Sequence, residues 1–345
     1  MSALRATVRT IDVHLEVPFA ISRHVRTEKR VVILEVDDGT VVARGEASPD
    51  PYFGETSDDL ERAVRGAVGL LPDDPADLAS LKAALDLRFP HGGAAACALD
   101  IAAHDRAAQH AGVPLRAWLG LGTVAPPTSF TIGLADPATM AERAARAAAR
   151  GFLVLKVKLG RGDDVEILRA IRARVPGLTI RVDPNAAWSP DEALARIEAL
   201  APFGLEFVEQ PVAPDDLEGL RAVHERSPIP IVADEAAVRV ADVDRLAGRC
   251  SGINVKLQKS GGLGEARAMV ARAHALGLKV MLGCRAAETS VGIAAAAHLA
   301  PAVEWVDLDG NLLIVDDPFV AVPVERGRFA FSERPGLGAL PRSGS

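Results

Sequence analysis

The stretch LKVKLG, residues 155–160, has the pattern of a buried β-strand that runs into a loop. Side chains of a strand alternate between its two faces, so Lys156 and Lys158 point to the same side. Two ammonium groups on one face repel each other unless carboxylates lie nearby. We therefore expect acidic residues next to this strand, and the segments that follow it supply them.

Eight short strand-like segments follow one another from Thr128 onward, and a helical pattern separates each from the next. Their sequences are SFTIGL, LVLKVK, LTIRVD, LEFVEQ, PIVADE, GINVKLQK, LKVMLGC and VEWVDLD. Strands and helices that alternate about every 25 residues indicate parallel strands joined by right-handed crossovers. Seven helical segments precede the last strand, so the sequence predicts an α/β fold, a (β/α)7β TIM-like barrel.

The residues before the barrel have the mixed pattern of an α+β domain. TVRTIDVHLEV and RVVILEVDDGTVVARGEA predict strands, and alanine-rich stretches up to Leu119 predict helices. We expect a capping domain over residues 1–122, the barrel over 123–322, and a C-terminal segment over 323–345 that returns to the capping domain. A chain of 345 residues is long enough for this arrangement.

Composition and charge exclude several classes of partner. The net charge is -7 and the basic residues are scattered, so neither nucleic acid nor a membrane surface is expected to bind. No stretch is apolar enough for a signal peptide or a spanning helix, and we expect a cytoplasmic protein that forms a homo-oligomer. The three cysteines lack CxxC spacing, which argues against disulfides and zinc.

Charged residues end successive barrel strands at regular steps. Functional groups of such barrels lie at the carboxyl ends of the strands. The charged residues there are Lys158, Asp183, Glu209, Asp234 and Lys256, separated by 25, 26, 25 and 22 residues. One such residue alone is more often a solvated rim residue, but five in register predict an active site.

The three acids of this series end adjacent strands, so Asp183, Glu209 and Asp234 are expected to converge. Three carboxylates share a buried pocket only when a cation binds them. A ligand set made of oxygen atoms without histidine favours Mg²⁺ over zinc, with Mn²⁺ as a substitute.

The lysines are expected on opposite walls of the barrel. Lys158 and Lys256 end the second and sixth of eight strands, so they flank whatever the metal holds. Asp307 and Asp309 end the eighth strand on one face and confront the metal from the far side. We further expect the crowded positive charge to keep one amine neutral near physiological pH. A purely structural salt-bridge network is the alternative, but it does not explain lysines on opposite walls.

These residues and their order resemble the enolase superfamily, and within it the muconate lactonizing enzyme subgroup. The motifs are LDIAAHDRAAQHAGVPL, LKVKLG, VDPNAAW, VEQP, VADE and INVKLQKSGGL, and they span nearly the whole chain. The resemblance implies that Mg²⁺ on the three acids chelates a substrate carboxylate, a lysine removes the α-proton, and Lys156 helps to stabilise the enediolate. A lysine base combined with Mg²⁺ is the general pattern of this superfamily.

The subgroup leaves several reactions open. They include dipeptide epimerisation, N-acyl amino acid racemisation, and the reactions of muconate cycloisomerase and o-succinylbenzoate synthase; a non-catalytic ligand-binding barrel is a more distant alternative. Asp307-Leu308-Asp309 resembles the DxD motif with which dipeptide epimerases hold the substrate's ammonium group. The resemblance therefore implies an isomerase acting on L-Ala-L-Glu or a related dipeptide, in which Lys158 takes the proton and Lys256 returns one to the opposite face.

The side chain of the substrate is expected to meet the capping loops and the seventh strand. Arg23, in FAISRHVR, resembles the arginine that binds the glutamate carboxylate in L-Ala-D/L-Glu epimerases. Arg26 and Arg285 are alternative cations for the same task, although Arg285 departs from the small or apolar residue expected in its loop. Thr131 on the first barrel strand is expected to line the pocket.

Overall fold

The computed structural model describes residues 4–342. Its first part is a three-stranded antiparallel sheet, in the order β1-β2-β3, packed against helices. The elements are β1 (Arg5–Ala20), β2 (Val25–Asp37), β3 (Val42–Ala47), α1 (Ser57–Ala67), α2 (Leu78–Arg88), α3 (Ala94–His110) and α4 (Leu115–Trp118). The predicted α+β capping fold is confirmed.

Helix α3 is the core of the capping part, and nearly all of its residues are buried. Its alanine side chains are small enough for β3 to lie against the helix backbone. At Gly45 an added Cβ atom would come within 1.9 Å of the carbonyl oxygen of Ala98, so only glycine fits this contact.

The second part is the predicted barrel. Its strands are β4 (Phe130–Ile132), β5 (Val154–Lys158), β6 (Thr179–Asp183), β7 (Leu205–Glu209), β8 (Ile231–Ala233), β9 (Gly252–Lys256), β10 (Lys279–Gly283) and β11 (Trp305–Asp307). Its helices are α5 (Pro137–Ala149), α6 (Asp164–Arg174), α7 (Pro190–Leu200), α8 (Leu217–Arg226), α9 (Val240–Leu246), α10 (Leu257–Ser260), α11 (Leu263–Ala275) and α12 (Ser290–Leu299).

The eight strands pair in parallel in chain order from β4 to β11. The ring closes next to β4, where Thr128 forms a parallel bridge with Val306 and the Ser129 amide donates to the Val306 carbonyl at 3.0 Å. Local sequence starts the helices: Ser189 caps α7 by accepting from the Glu192 amide, with Pro190 in the first turn. The expected (β/α)7β topology is confirmed.

The C-terminal residues leave the barrel and reach the capping part. They form four two-residue strands, β12 (Phe319–Val320), β13 (Val324–Glu325), β14 (Arg328–Phe329) and β15 (Leu340–Pro341). The Leu115 amide donates to the Gly336 carbonyl at 2.8 Å, and the Leu337 amide donates to Asp105 at 2.8 Å. The division of the chain at residues 122 and 322 stays a prediction.

Buried polar contacts fix the capping part on the barrel. The carboxylate of Glu46, at the end of β3, accepts from the Thr289 and Gly292 amides at the start of α12, each at 3.0 Å. The side chain of Gln258, in α10, makes two hydrogen bonds to the same segment. Its oxygen accepts from the Ser48 amide at 2.9 Å, and its nitrogen donates to the Glu46 carbonyl at 3.1 Å. These groups are inaccessible to solvent, so they hold the two parts in a defined orientation.

No helix among residues 4–342 is long and apolar enough to cross a membrane. The predicted homo-oligomer and cytoplasmic location stay predictions.

Candidate active site

Three carboxylates converge at the carboxyl ends of β6, β7 and β8. One oxygen each from Asp183, Glu209 and Asp234 can be chosen so that all lie within 4.8 Å of one another. Asp183 and Glu209 are fully buried and Asp234 is 2% exposed. Neighbouring parallel strands end at the same edge of a sheet, which is why residues 25 or 26 positions apart in sequence meet here.

Two lysines hold this cluster from different strands. The Nζ atom of Lys158, at the end of β5, lies 2.6 Å from Asp183 Oδ2. The Nζ atom of Lys256, at the end of β9, lies 2.6 Å from Asp234 Oδ2. Since β5 and β9 are four strands apart in a ring of eight, the amines approach the carboxylates from opposite walls.

Lys156 lies deeper on the same face of β5, as the alternation of the strand predicts. Its amine lies 2.8 Å from Glu209, 3.0 Å from Asp307 and 3.2 Å from Asp183. It therefore links the carboxylate cluster to the acids of the last strand.

Carboxylates determine the pKa values of Lys156 and Lys256. Burial lowers the pKa of Lys256, but Asp234 outweighs burial and raises that pKa above its ordinary value. Likewise, burial lowers the pKa of Lys156, but Asp307 and Glu209 raise it well above the ordinary value. For these two lysines the neighbouring carboxylates outweigh the nearby amines, and the expectation that crowding keeps one amine neutral stays a prediction.

Sequence reasoning missed two residues that orient the acids. The Lys259 amine donates to Asp234 Oδ1 and to the Asn254 carbonyl, both at 2.9 Å. The Asn254 amide donates to Glu209 Oε1 at 2.8 Å. Asn254 lies two positions before Lys256 on the same face of β9, so strand alternation could have identified it. Lys259 belongs to the four-residue helix α10, for which the sequence gives no comparable signal.

Asp307 and Asp309, at the end of the last barrel strand, accept hydrogen bonds from residues in and next to the first barrel strand. Asp307 Oδ1 accepts from the Ser129 hydroxyl at 2.5 Å, and Asp309 accepts from the Thr131 amide at 2.6 Å and hydroxyl at 3.2 Å. Burial and the neighbouring Asp307 raise the pKa of Asp309 to about 7. Burial also opposes ionisation of Asp307, but Lys156 outweighs it and holds this pKa below its usual range.

A cavity of about 530 Å³ lies between these groups and the capping part. The loop at residues 21–24, strand β2, the segment 50–53 and the loop after β10 complete its wall. Arg23 lines it, but its guanidinium lies 2.6 Å from Glu235 and 4.3 Å from the centre of the Tyr52 ring. Thr131 also lines the cavity, and its contact with a substrate stays a prediction.

Arg285 also lines this cavity, and it contacts the capping part. Its guanidinium lies 2.5 Å from Glu55 and donates to the Ser48 carbonyl at 2.5 Å. Only 5% of Arg285 is exposed, and the Glu55 carboxylate compensates its buried charge.

Comparison with known families agrees with this geometry. Residues 4–120 match the model of the mandelate racemase/muconate lactonizing enzyme N-terminal domain, and residues 139–343 match the model of the enolase C-terminal domain-like family. The chain belongs to the mandelate racemase/muconate lactonizing enzyme family. The resemblance stated from the sequence motifs is thereby confirmed.

Within this family the chain is similar to dipeptide epimerases. It is 38% identical to the L-Ala-D/L-Glu epimerase of Bacteroides thetaiotaomicron over 98% of this chain and 88% of the relative. The structure of a substrate-liganded complex of the L-Ala-D/L-Glu epimerase from Bacillus subtilis has a TM-score of 0.94 at 31% identity, over 99% of both chains. A dipeptide epimerase from Enterococcus faecalis, complexed with Mg and L-Leu-L-Tyr, has a TM-score of 0.93 at 32% identity, over 98% of this chain and 99% of the other.

The donor set of the cluster fits a hard divalent cation. Asp183, Glu209 and Asp234 offer only carboxylate oxygens, which Mg²⁺ prefers. Burial and the charge of Asp183 raise the pKa of Glu209 to about 8, which shows how strongly the site disfavours three negative charges without a compensating cation.

Proposed function

We propose that this protein is a Mg²⁺-dependent epimerase of dipeptides, with L-Ala-L-Glu or a related dipeptide as substrate. The observation that carries the proposal is the pair of lysines, Lys158 and Lys256, on opposite walls beside one carboxylate cluster. Inversion at a carbon atom requires that a proton leave one face and that another arrive on the opposite face. Two amines that flank one bound substrate can perform both steps.

The proposed metal ligands are Asp183, Glu209 and Asp234. When bound there, Mg²⁺ supplies positive charge that holds the substrate carboxylate and stabilises the negative charge of the enediolate. Lys156 lies between Glu209 and Asp307 and is placed to donate to the same carboxylate. Its raised pKa suits a group that remains charged throughout the reaction.

The two flanking lysines exchange roles with the direction of the reaction. Lys158 takes the α-proton of one epimer as its neutral amine, and Lys256 donates a proton from the other side as its ammonium. For the reverse reaction the roles are reversed. Each amine can act as a base only after it releases the carboxylate that it contacts, which a cation on those oxygens favours.

The amino end of the dipeptide is proposed to bind Asp307 and Asp309. These acids lie at the carboxyl end of β11, opposite Glu209, and the hydroxyl groups of Ser129 and Thr131 orient them. An ammonium group placed between two buried carboxylates is strongly favoured over a neutral amide. This requirement favours dipeptides over the N-acyl amino acids and the substrates of o-succinylbenzoate synthase or muconate cycloisomerase.

The test is a panel of L,L-dipeptides and N-acyl amino acids incubated in D2O with Mg²⁺. Mass spectrometry then measures deuterium uptake at the α-carbon, and chiral chromatography measures inversion. We expect uptake and inversion with free dipeptides. Faster turnover of N-acyl amino acids or o-succinylbenzoate precursors than of every dipeptide would contradict the proposal.

A further inference from the structure

The positive charges that line the cavity are not all compensated. Eight lysine and arginine side chains line it. Six of them lie within 4.0 Å of a carboxylate oxygen: Arg23, Lys156, Lys158, Lys256, Lys259 and Arg285. Across the described residues 4–342, Arg26 and Lys29 have no carboxylate oxygen at that distance. Both belong to strand β2 of the capping part.

Lys29 is the more constrained of the two cations. It is only 5% exposed, and its amine donates to the Ala286 carbonyl, in the loop after β10, at 3.0 Å. Arg26 faces it from its own strand, Arg285 and Glu288 from the loop after β10, and Asp50 from the loop after β3. A buried amine beside two guanidinium groups is placed where an additional negative charge lowers the electrostatic energy.

The predicted alternative, Arg23, is less suited to this task. Its guanidinium already lies 2.6 Å from Glu235, whose carboxylate is nearly buried. A substrate carboxylate at Arg23 would therefore either displace Glu235 or approach it closely, and like charges repel strongly in a buried site. On the neighbouring wall formed by β2, Asp50 and Glu288 face Lys29 but neither lies within 4.0 Å of its amine, so a substrate carboxylate there displaces no ion pair.

We propose that Arg26 and Lys29 form an anion subsite that binds the side-chain carboxylate of a dipeptide whose second residue is acidic. The inference rests on the proposed function, because the metal end and the ammonium end of the cavity are assigned there. With those two ends occupied, the side chain of the second residue is the remaining part of the substrate that can extend toward β2. Two relatives named above, an L-Ala-D/L-Glu epimerase and an enzyme complexed with L-Leu-L-Tyr, take dipeptides whose second residues differ in charge.

The subsite has a consequence for proton uptake. Burial, together with Arg26 and Arg285, lowers the pKa of Lys29 to about 7. At pH 8 such an amine is about 90% neutral, and a bound carboxylate would raise its pKa and make it take up a proton. A dipeptide with glutamine in place of glutamate has nearly the same shape and lacks that charge, so it serves as a matched ligand.

The kinetic test compares L-Ala-L-Glu with L-Ala-L-Gln in the wild type and in four variants, Lys29→Met, Lys29→Arg, Arg26→Met and Arg23→Met. We expect the wild type to prefer the glutamate dipeptide. Lys29→Met and Arg26→Met should each lower this preference in kcat/KM by about 10- to 100-fold while the glutamine dipeptide is still epimerised. Arg23→Met should change both substrates by similar factors, and Lys29→Arg should restore part of the preference.

Two results would overturn the subsite, and they differ from a failure of the proposed function. An unchanged preference in both Lys29→Met and Arg26→Met, or a preference lost only in Arg23→Met, contradicts the subsite while epimerisation of L-Ala-L-Gln keeps the function. Absence of turnover with every dipeptide contradicts both.

Calorimetry of the wild type with Mg²⁺ provides a measurement that needs no variant. Equilibrium mixtures of both epimers are titrated at pH 8 in two buffers of different ionisation enthalpy. Proton uptake should be larger for the glutamate than for the glutamine dipeptide, and equal uptake would contradict the subsite.

Discussion

Replacement of Asp309 by asparagine tests the proposed ammonium site without changing its shape. Asp309 is 2% exposed and accepts from the Thr131 amide at 2.6 Å and from the Thr131 hydroxyl. Asparagine keeps one acceptor oxygen for these donors, so the fold around β4 and β11 should persist. The change removes a negative charge from the position that we assign to the substrate's ammonium group.

The expected loss follows from the burial of the pair. Removal of one partner of a buried, hydrogen-bonded charge pair costs about 2–5 kcal/mol. Asp307 remains beside the ammonium group, and Lys156 favours its charged form. We therefore expect the lower part of this range, about 2–3 kcal/mol, which corresponds to a decrease in kcat/KM of about 30- to 150-fold.

The assay measures kcat/KM for L-Ala-L-Glu by α-proton exchange in D2O, and N-acetyl-L-Ala-L-Glu is measured in parallel. Asp317→Asn is the matched control, because Asp317 is also buried and accepts from an amide and a hydroxyl of one residue, Ser290, at 2.9 Å and 2.7 Å, as well as from the Phe319 amide at 3.0 Å. It does not line the cavity. The control should keep the activity of the wild type, and the acetylated substrate should be poor for every variant.

Two results would refute this reasoning. One is an Asp309→Asn variant, folded as judged by its melting temperature, that retains the wild-type kcat/KM. The other is efficient turnover of the acetylated dipeptide by the wild type, since that substrate has no ammonium group to bind.

Three further predictions concern the metal, the bases and pH. Exhaustive chelation should abolish turnover and Mg²⁺ should restore it, and Asp234→Asn should lose most activity; full activity after chelation contradicts the metal site. Lys256→Ala should still exchange the α-proton of the epimer that faces Lys158 but should not invert it, with a loss of about 10²- to 10⁴-fold in epimerisation; unaltered inversion contradicts the two-base mechanism. Because the pKa of Asp309 is raised to about 7, its charge is lost as the pH falls through that value. Accordingly, kcat/KM for dipeptides should fall there, and Asp309→Asn should lack this step.

The charged residues at the strand ends could be predicted from the sequence because a parallel barrel imposes a nearly constant spacing. Lys158, Asp183, Glu209 and Asp234 each follow a strand-helix unit of almost the same length, so position along the chain determines position in space. Lys259 lies in a short helix outside this repeat, and no periodic signal marks it.

Contacts between the capping part and the barrel could not be predicted in this way. Arg23 pairs with Glu235, and Arg285 pairs with Glu55, across more than 200 positions of sequence. Such pairs depend on how the two parts are oriented, which neither hydrophobic periodicity nor strand spacing specifies. The pKa values of Lys156 and Lys256 likewise depend on which carboxylate each amine reaches.

The contacts of Glu46 and Gln258 with the facing backbone restrict which motions can open the cavity to a ligand. To swing the capping part away as a rigid body, the chain would have to break these buried hydrogen bonds together with that of Asp105, at a cost of several kcal/mol. Movement of the loops at residues 21–24 and 50–53 breaks none of them. Loop motions occur in nanoseconds to microseconds, whereas rigid-body hinge motions take microseconds to milliseconds. Substrate entry and product release should therefore occur on the faster of these two timescales. The orientation of the reacting groups is then preserved between one turnover and the next.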